Sequence, residues 1–252
     1  MSFDQSPIVE LEGWLDSPCG RYVKAWEQKQ VDGMVVNVFG YRAVQIGLPE
    51  WDLLSANRMP YKDYTHVVAG SAQSSGRLTL VTDPENLPFD SQSIDLLMLP
   101  HVLECSTNPH QILREAERVL MPEGRVVISG FNPWSLWGAR ERVPGLEPLM
   151  PVAAHLQVSL PRLKDWFKLL SFEVDRGRFG CYAPPCLTEK WLQRWAFMDS
   201  AGDRWWPVCG AVYVVSAVKR VVGLRVIGPQ WKRKTKHVRR RQSVVTGRHS
   251  GF

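Results

Sequence analysis

Along the chain, apolar positions first recur at helical spacing. Tyr22, Val23, Trp26, Val31 and Met34 fall near one face, and Ser17 stands where it caps the helix they predict. Residues 42–47 (RAVQIG) then read as a short buried strand ending in glycine, and Pro49 suits the first turn of a helix through Trp51, Leu53 and Leu54. Tyr64 to Ala69 and Leu78 to Thr82 predict a second and a third strand, separated by turn-forming residues that begin with Gly70 and Ser71. A crossover between parallel neighbours needs a dozen or more residues. The short link therefore predicts that these two strands form an antiparallel hairpin or are not neighbours, and that one helix of a regular doubly wound sheet is missing.

From there the pattern is regular. Ile94 to Pro100 is a continuous apolar strand, and Asn108-Pro109 opens a helix whose buried face is Ile112, Leu113, Ala116, Val119 and Leu120. Pro122-Glu123-Gly124 predicts a turn before a strand over Arg125 to Ser129. Ser159 and Thr188 stand as caps of two further helices, the second carrying Trp191 and Trp195 as core residues. Phe172 to Phe179 and Val208 to Val218 complete the strands. Strands alternating with helices predict an α/β fold with a mainly parallel sheet.

Charge divides the chain. From Arg204 onward there are 12 Lys/Arg and no acid, which leaves 19 basic against 25 acidic residues before it. Beyond Gly228 the apolar periodicity stops, so one domain is expected over residues 1–228, with 1–40 a helical lead-in and 229–252 a disordered basic tail. Lys232, Arg233, Lys234, Lys236, Arg239, Arg240 and Arg241 surround Trp231 and His237, a cluster suited to accessory contact with nucleic acid or an anionic surface. The 5 cysteines are scattered without a CxxC pair, which argues for reduced thiols and against a metal site. The opening residues lack the basic flank and apolar core of a signal peptide, and the longest apolar run is about half the roughly 20 residues that cross a bilayer. A cytoplasmic location is the expectation.

The string DPENLPFDSQSIDLL (83–97), followed by PHVLE (100–104) and NPHQILREAERVLMPEGRVVISG (108–130), resembles the class I S-adenosylmethionine-dependent methyltransferases of the type 11 group. The resemblance implies a Rossmann-like sheet with an antiparallel last strand, S-adenosylmethionine as cofactor, and methyl transfer to an acceptor that the motifs do not identify. It implies that Asp83 accepts from the adenine amine, with Pro84 against the ring and Leu99-Pro100 at the edge of the cleft. The family's glycine-rich turn aligns with Gln45, Gly47 and Trp51, so Gln45 replaces an acid and Gly47 remains. Where the family has a ribose-binding carboxylate after the second strand, the chain has Ala69-Gly70-Ser71, with Ser71 as a neutral partner.

His101, at the rim, is the candidate general base, against an alternative in which it packs structurally. The aromatics from Phe131 to Trp137 either line a substrate pocket or cap the core. Two other functional classes stay open: a binding module that lost the cofactor, and a nucleic-acid-associated protein acting through its tail.

Overall fold

The computed structural model describes residues 6–67, 79–146, 148–185, 188–195 and 197–221. Two helices, α1 (Ser6–Leu15) and α2 (Pro18–Val35), precede β1 (Arg42–Ile46), β2 (Tyr61–His66), β3 (Thr79–Val81) and β4 (Ile94–Pro100). A short 3-10 turn (Val102–Cys105) leads to α3 (Pro109–Val119), β5 (Leu120–Phe131), α4 (Leu136–Glu141), α5 (Leu160–Leu169) and β6 (Phe172–Gly180). The last elements are α6 (Glu189–Arg194), α7 (Phe197–Trp205) and β7 (Val212–Lys219).

The strands form one 7-stranded sheet in the order β3-β2-β1-β4-β5-β7-β6. β1 pairs in parallel with β2 on one side and β4 on the other, so strand order reverses between β1 and β4. Ligands of open α/β sheets bind beyond the carboxyl ends of the strands at such a reversal. β7 runs antiparallel to both β5 and β6, with Val212 opposite Phe131 and Gly180. The start of β7 therefore joins the carboxyl ends of β5 and β6 on the same edge of the sheet. β4 and β7 are buried almost throughout, as their unbroken apolar runs require.

The expected hairpin is corrected: β3 pairs with β2 in parallel, His66 opposite Val81. β2 begins at Tyr61, whose N–H donates to the Tyr41 carbonyl, and it ends at His66. The connection is therefore 12 residues, 67–78, which is long enough for a crossover. The missing helix and Ser71 fall on residues 68–78, outside the described residues, as do the basic tail and Cys186.

Three helices escaped the periodicity, α1, α4 and α7, and one expected helix is absent. After Pro49 the chain makes turns instead, although Trp51, Leu53 and Leu54 are buried as expected. Ser17 caps α2 as anticipated, its hydroxyl accepting from Gly20 N at 3.0 Å. Asn108, Ser159 and Thr188 occupy cap positions without a side-chain bond. Trp191, expected in the core, is 49% exposed, while Trp195 packs partly against it. Trp137 is buried and Trp134 exposed, so the aromatics after β5 divide between core and surface.

A cap of this kind is worth about 1 kcal/mol. Ser17→Ala is expected to lower unfolding free energy by about that amount in urea titrations, because α2 then starts with an unsatisfied amide.

Candidate functional site

A sharp turn at the end of β1 organises the carboxyl edge. Gly47 has φ 77° and Leu48 φ 49°, two successive left-handed residues that take the chain abruptly out of the sheet. Gln45, fully buried, closes the loop. Its amide nitrogen lies 3.2, 2.9 and 2.8 Å from the carbonyls of Gly47, Leu48 and Trp51, and its oxygen accepts from Leu53 N at 3.1 Å. These carbonyls are engaged by a side chain, which is why no helix forms after Pro49. Gln45 is thus fixed in the loop with its polar atoms already used.

Trp51 packs toward α2 and donates its indole N–H to Gln28 at 2.8 Å. With Glu12, Asp16, Lys24, Leu48 and Glu50 it lines a cavity of about 230 Å³ between the loop and the α1–α2 bend. A Cβ on Gly47 would meet Ile8 Cδ1 of α1 at 3.0 Å, so α1 lies directly over the glycine.

At the ends of β2 and β3 a polar cluster is assembled that motif reading did not find. His66 Nε2 stands 3.3 Å from Glu12 Oε1, and the His66 carbonyl accepts from Thr82 N at 2.9 Å. Thr82 Oγ1 is buried and has no hydrogen-bond partner among the described residues, and the only contact of the buried Glu12 Oε1 among them is this ion pair. Burial raises the Glu12 pKa, opposed by His66 and reinforced by Glu50. The next residue, Asp83, forms an Asx turn: Oδ1 accepts from Glu85 N at 2.9 Å and Oδ2 from Asn86 Nδ2 at 3.0 Å. A carboxylate has further lone pairs, so this turn leaves acceptor capacity. Only Glu12 comes from a part of the sequence without motif character.

His101 lies elsewhere. It comes directly after Leu99 and Pro100, both in the buried end of β4, and takes a left-handed conformation with φ 54°. Its ring is fully buried against Phe131, with Nε2 2.9 Å from Glu27 of α2 and Nδ1 3.1 Å from Glu104. Glu104 also accepts from Phe131 N at 2.7 Å. Burial opposes a charge on His101, but the two carboxylates outweigh it and raise the pKa to about 10. Both ring nitrogens of His101 are therefore held by carboxylates, an arrangement that favours the imidazolium and the structural alternative over a general base. The partner Glu27 was legible in principle, since it sits among Val23 and Val31 on the buried stripe of α2.

Residues 55–128 match the Methyltransferase domain family, a match that begins beyond the Gly47 turn. The uncharacterized protein YafS of Escherichia coli (strain K12) is 35% identical over 167 residues, covering 66% of this chain and 67% of YafS. The chain belongs to the class I S-adenosylmethionine-dependent methyltransferases. Among solved structures, a methyltransferase candidate in complex with the Haloferax volcanii Trm112 methyltransferase activator superposes with TM-score 0.59 at 15% identity, covering 85% of this chain and 97% of that one. Geranyl diphosphate C-methyltransferase of Streptomyces coelicolor A3(2), solved with S-adenosyl-L-homocysteine, gives 0.52 at 16%, covering 77% and 79%. At these identities the likeness is one of fold. No helix among the described residues is long and apolar enough to cross a membrane.

Removing one member of a buried charge cluster leaves the others uncompensated, at a cost of roughly 3–5 kcal/mol. His101→Gln is expected to destabilise the fold by that order in urea titrations. The raised pKa sets the pH window. The imidazolium's contribution is fully present below about pH 6.5, the unfolded value, and is lost as pH rises through about 10. Wild-type stability should fall across that interval by more than that of His101→Gln; parallel profiles would refute the charged assignment.

Proposed function

We propose that the chain binds S-adenosylmethionine at the carboxyl edge between β1 and β3 and transfers its methyl group to an acceptor yet to be identified. The observation that carries this reading is the polar cluster at the ends of β2 and β3, where the Glu12 carboxylate meets His66 at 3.3 Å and the buried Thr82 Oγ1 has no hydrogen-bond partner among the described residues. Buried polar atoms without partners are uncommon and call for an explanation such as a ligand. Gly47, with φ 77°, turns the chain out of the sheet at the same edge and places Leu48 on the cavity wall. Asp83 would accept from the adenine amine beside Pro84, while Leu99 and Pro100 form the adjoining floor. Glu12, from α1, would supply the ribose-binding carboxylate that β2 lacks, and Thr82 would hold a second polar group. Gln45 acts indirectly, by holding the loop that carries Gly47.

The cavity of about 230 Å³ is smaller than the roughly 300–1,000 Å³ of most ligand sites, so it takes only part of the cofactor's length. When bound, the cofactor supplies an electrophilic methyl group on a sulfonium. The chain's own residues contribute alignment and exclusion of water, since His101 is a structural cation in this reading. The contact of Ile8 with Gly47 favours a second reading, a descendant whose α1 has replaced the cofactor and which acts as a binding module.

Calorimetric titration with S-adenosylmethionine and S-adenosyl-L-homocysteine separates the two. Binding is expected, weakened about tenfold or more by Asp83→Ala and by Glu12→Gln, in line with the loss of a charge-assisted bond. No heat at millimolar ligand, with the fold intact by circular dichroism, would leave only the binding module. The basic segment beyond Gly228 supports an accessory polyanion contact. Deleting residues 229–252 should abolish salt-sensitive RNA binding, and unchanged binding would reject that role.

A further inference from the structure

A second cavity, of about 640 Å³, lies on the same edge of the sheet, beyond β5, β6 and the start of β7. Its walls are Trp134, Leu160, Pro161, Phe179 and Val208. The polar groups around it are few and mostly committed. Asn132 donates its amide to the carbonyls of Val208 and Gly210 at 2.8 and 2.9 Å, and its oxygen accepts from Trp134 N at 3.1 Å. That side chain ties the segment after β5 to the segment before β7 and has little left to offer a ligand. Cys209 contributes a half-buried free thiol. Lys164 is exposed and has no ion pair among the described residues, and no carboxylate lines the cavity.

The mouth is also apolar. Of the lining residues, Trp134 is 71% exposed and Val208 60%, and Val208 sits in the turn closed by Cys209 N donating to the Trp206 carbonyl. Large apolar groups grouped at a cavity mouth mark a binding site more often than chance exposure does. A ligand with several polar groups would leave them unpaired here, each desolvated at a penalty. A purely apolar ligand would leave the charge of Lys164 unused.

We propose that this cavity binds a ligand with an extended apolar body and a single anionic group, the body against Trp134, Phe179 and Val208 and the anion at Lys164. The volume falls within the range of small-molecule sites. The proposal does not depend on cofactor binding at the β1–β3 end of the edge.

Cys209 makes the test direct, because alkylation by N-ethylmaleimide can be followed at that residue by mass spectrometry in the full chain without cofactor. Dodecanoate, below its micellar concentration, is expected to slow alkylation saturably. Lys164→Met should weaken the apparent affinity for dodecanoate about tenfold and leave that for dodecan-1-ol unchanged, since only the acid loses a charged partner. Val208→Asp, a change at an exposed loop position, should weaken both. Failure of dodecanoate to protect Cys209, protection insensitive to Val208→Asp, or equal responses of acid and alcohol to Lys164→Met would each overturn the proposal. Loss here with S-adenosylmethionine binding intact rejects this site alone; the reverse rejects the methyltransferase reading alone.

Discussion

Glu27, His101 and Glu104 hold the centre of the molecule together. One imidazolium, fully buried, links α2 to the end of β4, and Glu104 carries the link on to the backbone at the end of β5. An isolated charge in such a place would be prohibitive, and the arrangement persists because each charged group has an opposite partner at hydrogen-bond distance. Its effect is geometric. It fixes where α2 crosses the carboxyl edge, and with α2 go Gln28, which holds Trp51, and Trp26, which packs so closely on Gly180 that a Cβ there would lie 1.9 Å from the indole. Both cavities are bounded by segments placed in this way.

The two ends of that edge have different character. Near β1 to β3 the groups are acidic and polar, with carboxylates at Glu12, Asp16 and Glu50 around one cavity and Asp83 at the end of β3. Near β5 to β7 the lining is apolar with one cation. Between them stand Trp14 and Phe131, edge to face with centroids 5.6 Å apart, and the indole of Trp14 is anchored to the Leu149 carbonyl. The partition stems from sequence position: the acids come from α1 and the loop after β1, the aromatics from segments flanking β5 and β7.

Most of the sheet was legible in the sequence because buried parallel strands announce themselves as unbroken apolar runs. Ile94 to Pro100 matches β4 residue for residue. The illegible parts depended on contacts distant in sequence. β2 was displaced because Tyr61-Lys62-Asp63 is not apolar; only its pairing with Arg42, Ala43 and Val44 makes it a strand. The helix after Pro49 had local support and lost to the side chain of Gln45. The sharp turn at Gly47 and the Asx turn at Asp83 were legible because glycine conformation and turn chemistry are local properties. The surroundings of His101 were not legible, since the carboxylate that meets Nε2 is 74 residues away. Glu12 was missed because an acid on a short amphipathic helix carries no motif.

The Gln45 staple also has an evolutionary consequence. A glutamate at this position would restore the family's acid in name, yet it would aim a carboxylate oxygen at the carbonyls that the amide nitrogen now binds. Donor would become acceptor against acceptors, in a fully buried place. The amide at position 45 is therefore entrenched: the loop as built takes it as a donor, and an acid there requires the loop's carbonyls to turn away first.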